Sequence, residues 1–204
     1  MICIISDTHG DMGAFAHKKI RSLKKGDTLI ILGDFGFLWD DSPKEHQILK
    51  KIGSRHYNTL FVTGYNDNAA LYDQFPEDEF FGGKGRWISG NLYMLSGGIY
   101  EIDGQKILIS GSPTEEEQAE ALTDRLSDDL LLRALDVDLV MTHEPPSSIG
   151  EFLTGERDIG TLGAFFDDIK AKLKFRMWYF GKLHKNKIIP PKYKAVFDEP
   201  VEVQ

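Results

Sequence analysis

Apolar runs alternate with amphipathic stretches in the first part of the chain. Runs rich in Ile, Val, Leu and aromatic residues predict β-strands at Ile2–Ser6, Thr28–Leu32, Thr59–Val62, Asp138–Thr142 and Met177–Phe180. Between the early runs, apolar residues recur at helical spacing in Met12–Leu23, and Ser42 before Pro43 predicts the start of a helix over Pro43–Ile52. The alternation predicts parallel strands joined by crossover helices.

The middle of the chain has a different pattern. Within residues 91–110, two strand-like runs meet at Asp103-Gly104, a strong signal for a β-hairpin. Antiparallel strands inserted among parallel ones predict a second sheet packed on the first. Thr114–Leu135 then predicts a long helix, and Lys192–Val203 predicts a last extended segment that returns to the sheet. No composition break marks a boundary, so residues 1–204 are expected to form one domain.

Composition narrows the classes of protein to consider. The chain has 204 residues, of which 41% are hydrophobic, and a formal net charge of −8. That composition is globular, and the acidic balance argues against non-specific binding of nucleic acid. No apolar run is long enough to span a membrane, and no signal peptide is expected. Cys3 is the single cysteine; without a possible intrachain disulfide, a reducing, cytoplasmic location is expected.

Each strand-like run ends in a side chain that can bind a metal ion. Asp7 and His9 follow the first run, Asp34 the second, and Asn66 the third. The last two runs are followed by His143 and His184. Ligands bind outside the carboxyl ends of parallel strands, so these side chains are expected to converge at one edge of the sheet. A mixed set of carboxylate and imidazole ligands favours Mn, Fe or Zn over Ca.

The order of these motifs resembles that of the calcineurin-like metallophosphoesterases, whose pattern runs D-x-H, G-D, G-N-H-[ED], a lone His and G-H-x-H. The likeness extends over nearly the whole chain, and the segment 33–39 is similar to small bacterial members. It implies an α/β fold, a four-layer αββα sandwich of two mixed sheets, with a two-metal site that hydrolyses phosphate esters. The first ion would then be held by Asp7, His9, Asp34 and His184. The second would be held by Asp34, the Asn of G-N-H, His143 and the first His of G-H-x-H.

Three positions depart from that pattern. Lys182 stands where the second ion's imidazole belongs. Aligned without a gap, Tyr65 stands at the family's Asn and Asn66 at its catalytic His, although a slip of one residue would still bring Asn66 to the metal. In neither register does a His serve as general acid. An ammonium cannot ligate a cation without losing its proton, so Lys182 either points away or substitutes for the second ion. The second interpretation is preferred, because Lys binds phosphate as a point charge.

Two functional hypotheses follow with nearly equal support. In the first, the protein is a phosphomonoesterase or phosphodiesterase with one or two bound ions, in which Asn66 and Lys182 are catalytic and stabilise charge on the phosphate oxygens. Its substrate would be a small phosphate ester or a phosphorylated ligand. The alternative is an impaired relative that binds a phosphorylated ligand or protein without turnover. A third hypothesis, an interaction protein whose remnant site has no role, is less favoured.

The substrate itself is not specified by any motif. The segments Gly82–Asn91 and Gly111–Glu117 are expected to be loops that face a substrate. Lys84 and Arg86 offer positive charge for a phosphate, and Trp87 offers a ring on which a base could stack. An ordinary surface loop with a partly buried Trp is nevertheless the favoured interpretation of that segment.

Overall fold

The computed structural model of the protein describes residues 1–132, 135–156 and 160–203. The strands are β1 (Ile2–Ile5), β2 (Thr28–Leu32), β3 (Asn58–Val62), β4 (Glu77–Phe80), β5 (Gly83–Ser89), β6 (Leu92–Leu95), β7 (Gly98–Ile102), β8 (Gln105–Ser110), β9 (Leu139–Thr142), β10 (Met177–Phe180), β11 (Lys187–Ile189), β12 (Tyr193–Ala195) and β13 (Val201–Glu202). The α-helices are α1 (Lys18–Arg21), α2 (Pro43–Gly53), α3 (Glu116–Leu132), α4 (Ser147–Thr154) and α5 (Thr161–Lys170), and 3-10 helices cover Met12–Ala16 and Ala69–Gln74.

The described strands form two mixed sheets. The first has the order β13-β1-β2-β3-β6-β5-β4, and the second has the order β11-β12-β10-β9-β8-β7. β1, β2, β3 and β6 run parallel to one another, as do β8, β9, β10 and β12. Antiparallel strands lie at both edges of each sheet. The carboxyl ends of β1, β2 and β3 therefore point the same way, and so do those of β9 and β10.

Apolar side chains form three layers, one between the sheets and one outside each sheet. Successive residues of a strand face opposite sides. In β1, Ile4 accordingly packs between the sheets, whereas Cys3 packs in the layer covered by α2. Outside the second sheet, Trp178 of β10 packs on Phe166 of α5, with ring centroids 5.4 Å apart. Strands buried on both faces explain the continuous apolar runs, and the predicted αββα sandwich is confirmed.

The five predicted strands and the helix after Ser42 are confirmed, but the single helix predicted over Met12–Leu23 is wrong. A 3-10 helix and α1 are separated there by His17, whose backbone is extended at φ −60° and ψ 139°. The His17 imidazole instead caps α1 by accepting a hydrogen bond from the Lys19 backbone N–H. Phe15 and Ile20 are still buried. The apolar spacing thus identified the side chains that face the core but not the break between the two helices.

The expectation that the segment Gly82–Asn91 forms a loop is wrong. Most of it forms β5, which pairs antiparallel with both β4 and β6. Arg86 is held in an ion pair with Asp73 at 2.8 Å and donates to the Phe75 carbonyl oxygen at 2.7 Å. The Trp87 indole N–H donates to the backbone carbonyl oxygen of Gly90, three residues further on, at 2.9 Å. These side chains therefore have structural partners in the sheet.

The hairpin at Asp103-Gly104 is confirmed, because β7 and β8 pair across this two-residue turn, with φ values of 54° and 73°. The predicted return of the chain end is also confirmed: β12 joins the second sheet and β13 the first. Of the helix predicted over Thr114–Leu135, α3 forms the main part, and residues 133–134 lie outside the described residues. Among the helices that are described, none is long and apolar enough to cross a membrane.

Candidate metal centre

Four of the predicted ligands converge where β1, β2 and β10 end. The Nε2 atoms of His9 and His184 are 3.0 Å apart, and Asp7 Oδ1 lies 3.5 Å from His184 Nε2. Asp34 Oδ2 lies 3.9 Å from His9 Nδ1. One ligand atom from each of the four residues can be chosen so that all lie within 4.8 Å of one another. The structure therefore places the proposed first-ion ligands around one point.

The backbone of these ligands is held in an uncommon conformation. Asp7, His9, Asp34 and His184 have φ values of 52°, 46°, 47° and 48°. Residues other than Gly rarely adopt positive φ, and such strain concentrates at functional sites. Two backbone hydrogen bonds hold the first two loops together: Asp7 N–H donates to the Gly33 carbonyl at 3.2 Å, and His9 N–H to the Asp34 carbonyl at 2.8 Å. The loops are thus fixed to each other before any ligand binds.

Glycine is required in two of the motifs by close approach. A Cβ on Gly33 would lie 2.1 Å from His143 Nδ1, and Gly33 itself has a φ of 85°. A Cβ on Gly64 would lie 2.2 Å from Asp34 Oδ1 and 2.8 Å from His143 Nε2. Any side chain at either position would displace a candidate ligand. The two glycines therefore allow Asp34 and His143 to come within reach of one another.

The donor set of the first position fits a transition ion. Asp7 Oδ1 is buried and has no hydrogen-bond partner among the described residues. Burial raises the pKa of the Asp7 carboxyl, and the nearby His143 opposes that rise, so a cation would offset the cost of burying the charge. Two imidazole nitrogens about 2.1 Å from one ion and at a right angle are about 3.0 Å apart, which matches the separation of His9 and His184. Both rings are partly exposed.

His143 and Asn66 lie on the other side of Asp34. His143 is buried, and its Nδ1–H donates to the Leu32 carbonyl oxygen at 2.9 Å. Because a carbonyl can only accept, Nδ1 carries the proton of this hydrogen bond and Nε2 is the ring nitrogen that faces Asp34, 3.6 Å from its Oδ1. The side-chain amide of Asn66 donates to Asp34 Oδ2 at 2.7 Å, and its backbone N–H donates to Asp34 Oδ1 at 2.9 Å. All six predicted ligands are therefore brought together, although their binding of an ion stays a prediction.

Lys182 turns toward Tyr65 and a carboxylate that was not predicted as part of the site, Glu144. The Lys182 ammonium is 3.4 Å from Glu144 Oε2 and 4.6 Å from the centre of the Tyr65 ring. The Tyr65 hydroxyl donates to the other Glu144 oxygen, Oε1. Tyr65 also packs on His143, with ring centroids 5.9 Å apart. Lys182 and Tyr65, which in the ungapped alignment stand at positions of the family's second-ion ligands, thus share one buried carboxylate.

A second group of acidic, His or Cys ligands around one point is not seen among the described residues. In residues 1–132, 135–156 and 160–203, one group of three or more Asp, Glu, His or Cys side chains has ligand atoms close enough together to hold an ion. Its members are Asp7, His9, Asp34 and His184. Glu144 does not belong to it, since its oxygens are directed at Lys182 and Tyr65. Among the described residues, the structure therefore identifies one candidate ion position, formed by those four side chains.

Asp67 is a further residue whose role was missed. Its buried carboxylate accepts from the backbone N–H groups of Phe35, Gly36 and Gly64 at 3.1, 2.7 and 2.8 Å. It thereby joins the loop after β2, which carries Asp34, to the loop after β3. Both missed acids had a signal in the sequence, because Glu144 directly follows His143 and Asp67 stands at the acidic position of G-N-H-[ED].

A family model described as calcineurin-like phosphoesterase matches residues 1–185. The chain belongs to the calcineurin-like phosphoesterase family. Among solved structures, the chain is similar to a protein of unknown function from Aquifex aeolicus, with 20% identity and a TM-score of 0.36. That match covers 83% of this chain and 93% of the other. No curated protein matches the chain. Membership indicates metal-dependent hydrolysis of phosphate esters, and the group of Asp7, His9, Asp34 and His184 is the candidate ligand set.

One cavity adjoins the candidate centre, and the lining of a second includes none of the six candidate ligands. The first, of about 480 Å³, is lined in part by Asp7 and His9. The second, of about 380 Å³, begins at Thr63, one residue before Gly64, and is lined further on by Arg125 of α3. A cavity of this size holds an organic group of modest size. The cavity beside Asp7 and His9 is therefore large enough for a phosphate ester that is larger than inorganic phosphate.

Proposed function

We propose that this protein is a phosphoester hydrolase that works with a single transition ion, Mn, Fe or Zn, held by Asp7, His9, Asp34 and His184. The observation that carries the proposal is the convergence of two imidazole nitrogens on a buried carboxylate oxygen that has no hydrogen-bond partner among the described residues. Such a set is costly for a protein to maintain unless a cation satisfies it. The proposed substrate is a small phosphate ester or a phosphorylated ligand, and the proposed location is the cytoplasm.

The chain's own residues supply orientation and charge. A bound ion of this class polarises a phosphoryl oxygen and lowers the pKa of water. Lys182 adds a fixed positive charge that favours the negative charge developing on the phosphate oxygens. Asn66 is exposed, hydrogen-bonded to Asp34, and placed to donate to a phosphate oxygen. Both residues thereby assume part of the role that a second ion plays in other members.

The leaving group receives little help in this arrangement. The segment Gly64–Asp67 contains no His, and Asn66 cannot transfer a proton at neutral pH. General acid catalysis typically contributes about 10²–10⁴-fold. Esters of acidic phenols, whose leaving groups depart without a proton, should therefore be hydrolysed much faster than alkyl esters. This selectivity follows from the residues at the site rather than from any pocket for the substrate.

A second candidate function is supported by the same replacements. Lys182 and Asn66 are both suited to bind a phosphate group, and both stand where other members carry histidine. A protein that binds a phosphorylated ligand without turnover would retain Asp34 and these two residues for binding alone. In that case, inorganic phosphate should bind with the same affinity whether or not the ion is present, because the ion then plays no part in recognition.

The two functions are separated by an assay with matched substrates. Hydrolysis of p-nitrophenyl phosphate, bis-p-nitrophenyl phosphate and an alkyl phosphate would be measured with Mn, Fe or Zn, and with the metal content of each sample determined. We expect turnover of a nitrophenyl ester that depends on bound metal and is lost in Asp34→Asn. A control, Asp78→Asn, changes an exposed acid of β4 and should leave the rate unchanged. Metal-loaded protein that hydrolyses none of the three would refute the enzymatic function.

A further inference from the structure

Glu144 is a buried carboxylate at the edge of the metal centre, in the position directly after the candidate ligand His143. Its side chain is 3% exposed, while that of Lys182 is 24% exposed. An ionised carboxylate at such depth requires a cation or several hydrogen bonds. The partners that the structure gives it are the Lys182 ammonium and the Tyr65 hydroxyl.

These two partners are the same residues that depart from the family's second-ion ligands. Lys182 stands at the position of the imidazole, and Tyr65 stands at that of the Asn in the ungapped alignment. Each is linked to Glu144, and Lys182 also lies over the Tyr65 ring at 4.6 Å. The three side chains therefore form one unit, which we call the Glu144 cluster, and its only formal positive charge is the ammonium.

The position of Lys182 is fixed from two sides. Its backbone N–H donates to Asp7 Oδ2 at 3.1 Å, and its φ is 64°. Its ammonium is held at Glu144, so the residue links Asp7, a first-ion ligand, to the carboxylate that follows His143. A positive charge held by Glu144, next in the chain to His143, and over the ring that packs on His143 opposes binding of a divalent cation at that imidazole.

We propose that Glu144 is a positioning residue that holds the Lys182 ammonium in place of the second ion, and that the Glu144 cluster thereby limits the chain to one bound ion. This inference rests on the proposed function only in taking Asp34 and His143 as residues able to bind metal. If Lys182 is removed, the carboxylates of Asp34 and Glu144 and the imidazole of His143 remain, and these are ligand types that Mn accepts. The protein should then acquire the ion that Lys182 excludes.

The test is a count of bound Mn by equilibrium dialysis with elemental analysis, supported by the Mn electron paramagnetic resonance spectrum. We expect one equivalent in the native protein and a second, weaker equivalent in Lys182→Gln. The double variant Lys182→Gln with Glu144→Gln should return to one, because the carboxylate that binds the second ion has gone. A spectrum of two interacting Mn ions should appear in Lys182→Gln alone. Lys182→His, which restores the family's ligand, should also bind two and serves if the Gln variant does not fold.

The control is Lys185→Gln, which removes the same charge from an exposed lysine three residues further along and should bind one equivalent. Two equivalents in the native protein, or one in both Lys182 variants, would overturn the inference. A second equivalent that persists in the double variant would overturn the role of Glu144. Hydrolysis is not part of this count. A protein that is inactive toward esters but gains an ion in Lys182→Gln would uphold the inference and refute the proposed function.

Discussion

The replacement Asp67→Ala should destabilise the protein by about 3 kcal/mol. Asp67 accepts hydrogen bonds from three backbone N–H groups, and two of the donors, Phe35 and Gly64, are buried residues. A hydrogen bond contributes about 1 kcal/mol net, and bonds to a charged acceptor contribute more. Burial raises the pKa of the Asp67 carboxyl while the three N–H donors oppose that rise. Desolvation therefore offsets part of the gain, which keeps the expected loss near about 1 kcal/mol per bond.

The assay is equilibrium unfolding in urea of the metal-free protein, with the midpoint and slope compared between variants. The matched control is Asp73→Ala, in which the lost acid is 74% exposed and pairs with Arg86. Because the Asp73 carboxylate is in contact with solvent, the pair should contribute less than about 1 kcal/mol. If Asp67→Ala is destabilised no more than this control, Asp67 does not hold the two ligand loops together. Because Asp67 joins the loops after β2 and β3, its loss should also weaken Mn binding through Asp34.

Three further predictions concern the centre and the core. The combined change Tyr65→Asn, Asn66→His and Lys182→His should raise the rate of phosphoester hydrolysis with Mn. Each single change should gain little, because such residues act as a unit. Steady-state kinetics in which the triple variant is no faster than the native protein would contradict this prediction. His9→Asn should lower Mn affinity at least about tenfold, as measured by calorimetric titration. The stability of the metal-free protein in urea should change little, because the His9 side chain is exposed and Asn tolerates a positive φ. Cys3 should not react with a disulfide reagent at pH 8 in the folded protein, because burial raises the pKa of its thiol to about 11; rapid labelling of native protein would show that β1 opens.

The parts of the fold that could be predicted are those specified by local pattern. β1 and β2 are apolar on both faces, and their turns carry the ligands Asp7 and Asp34, so strand and ligand were visible together. β4 was missed because it is acidic and exposed. β5 was missed because it contains two glycines and its apolar residues do not alternate with polar ones. β4 pairs with β5, and β5 pairs with β6. Such pairing between strands is not visible in the local sequence. The α5 helix did carry a signal, in the helical spacing of Leu162, Phe166 and Ile169.

The residues of the site also divide into those that the sequence could predict and those that only the structure reveals. Residue type and position after a strand sufficed to group Asp7, His9 and Asp34, because parallel strands bring their ends together. The role of Glu144 depends on how its oxygens meet Lys182 and Tyr65, which are 38 and 79 residues away along the chain. No local pattern encodes a contact of that range. The sequence could therefore indicate that the second position was altered, and the side-chain contacts were needed to show what replaces it.

The central claim is hydrolysis by one ion, and the rate as a function of added Mn tests it most directly. Metal-free protein at a concentration well above the dissociation constant of the first site would be titrated with Mn while nitrophenyl ester hydrolysis is followed. The account predicts a rate that rises linearly and reaches a plateau at one equivalent per chain. A rate that continues to rise until two equivalents, or no hydrolysis at any loading, would contradict it.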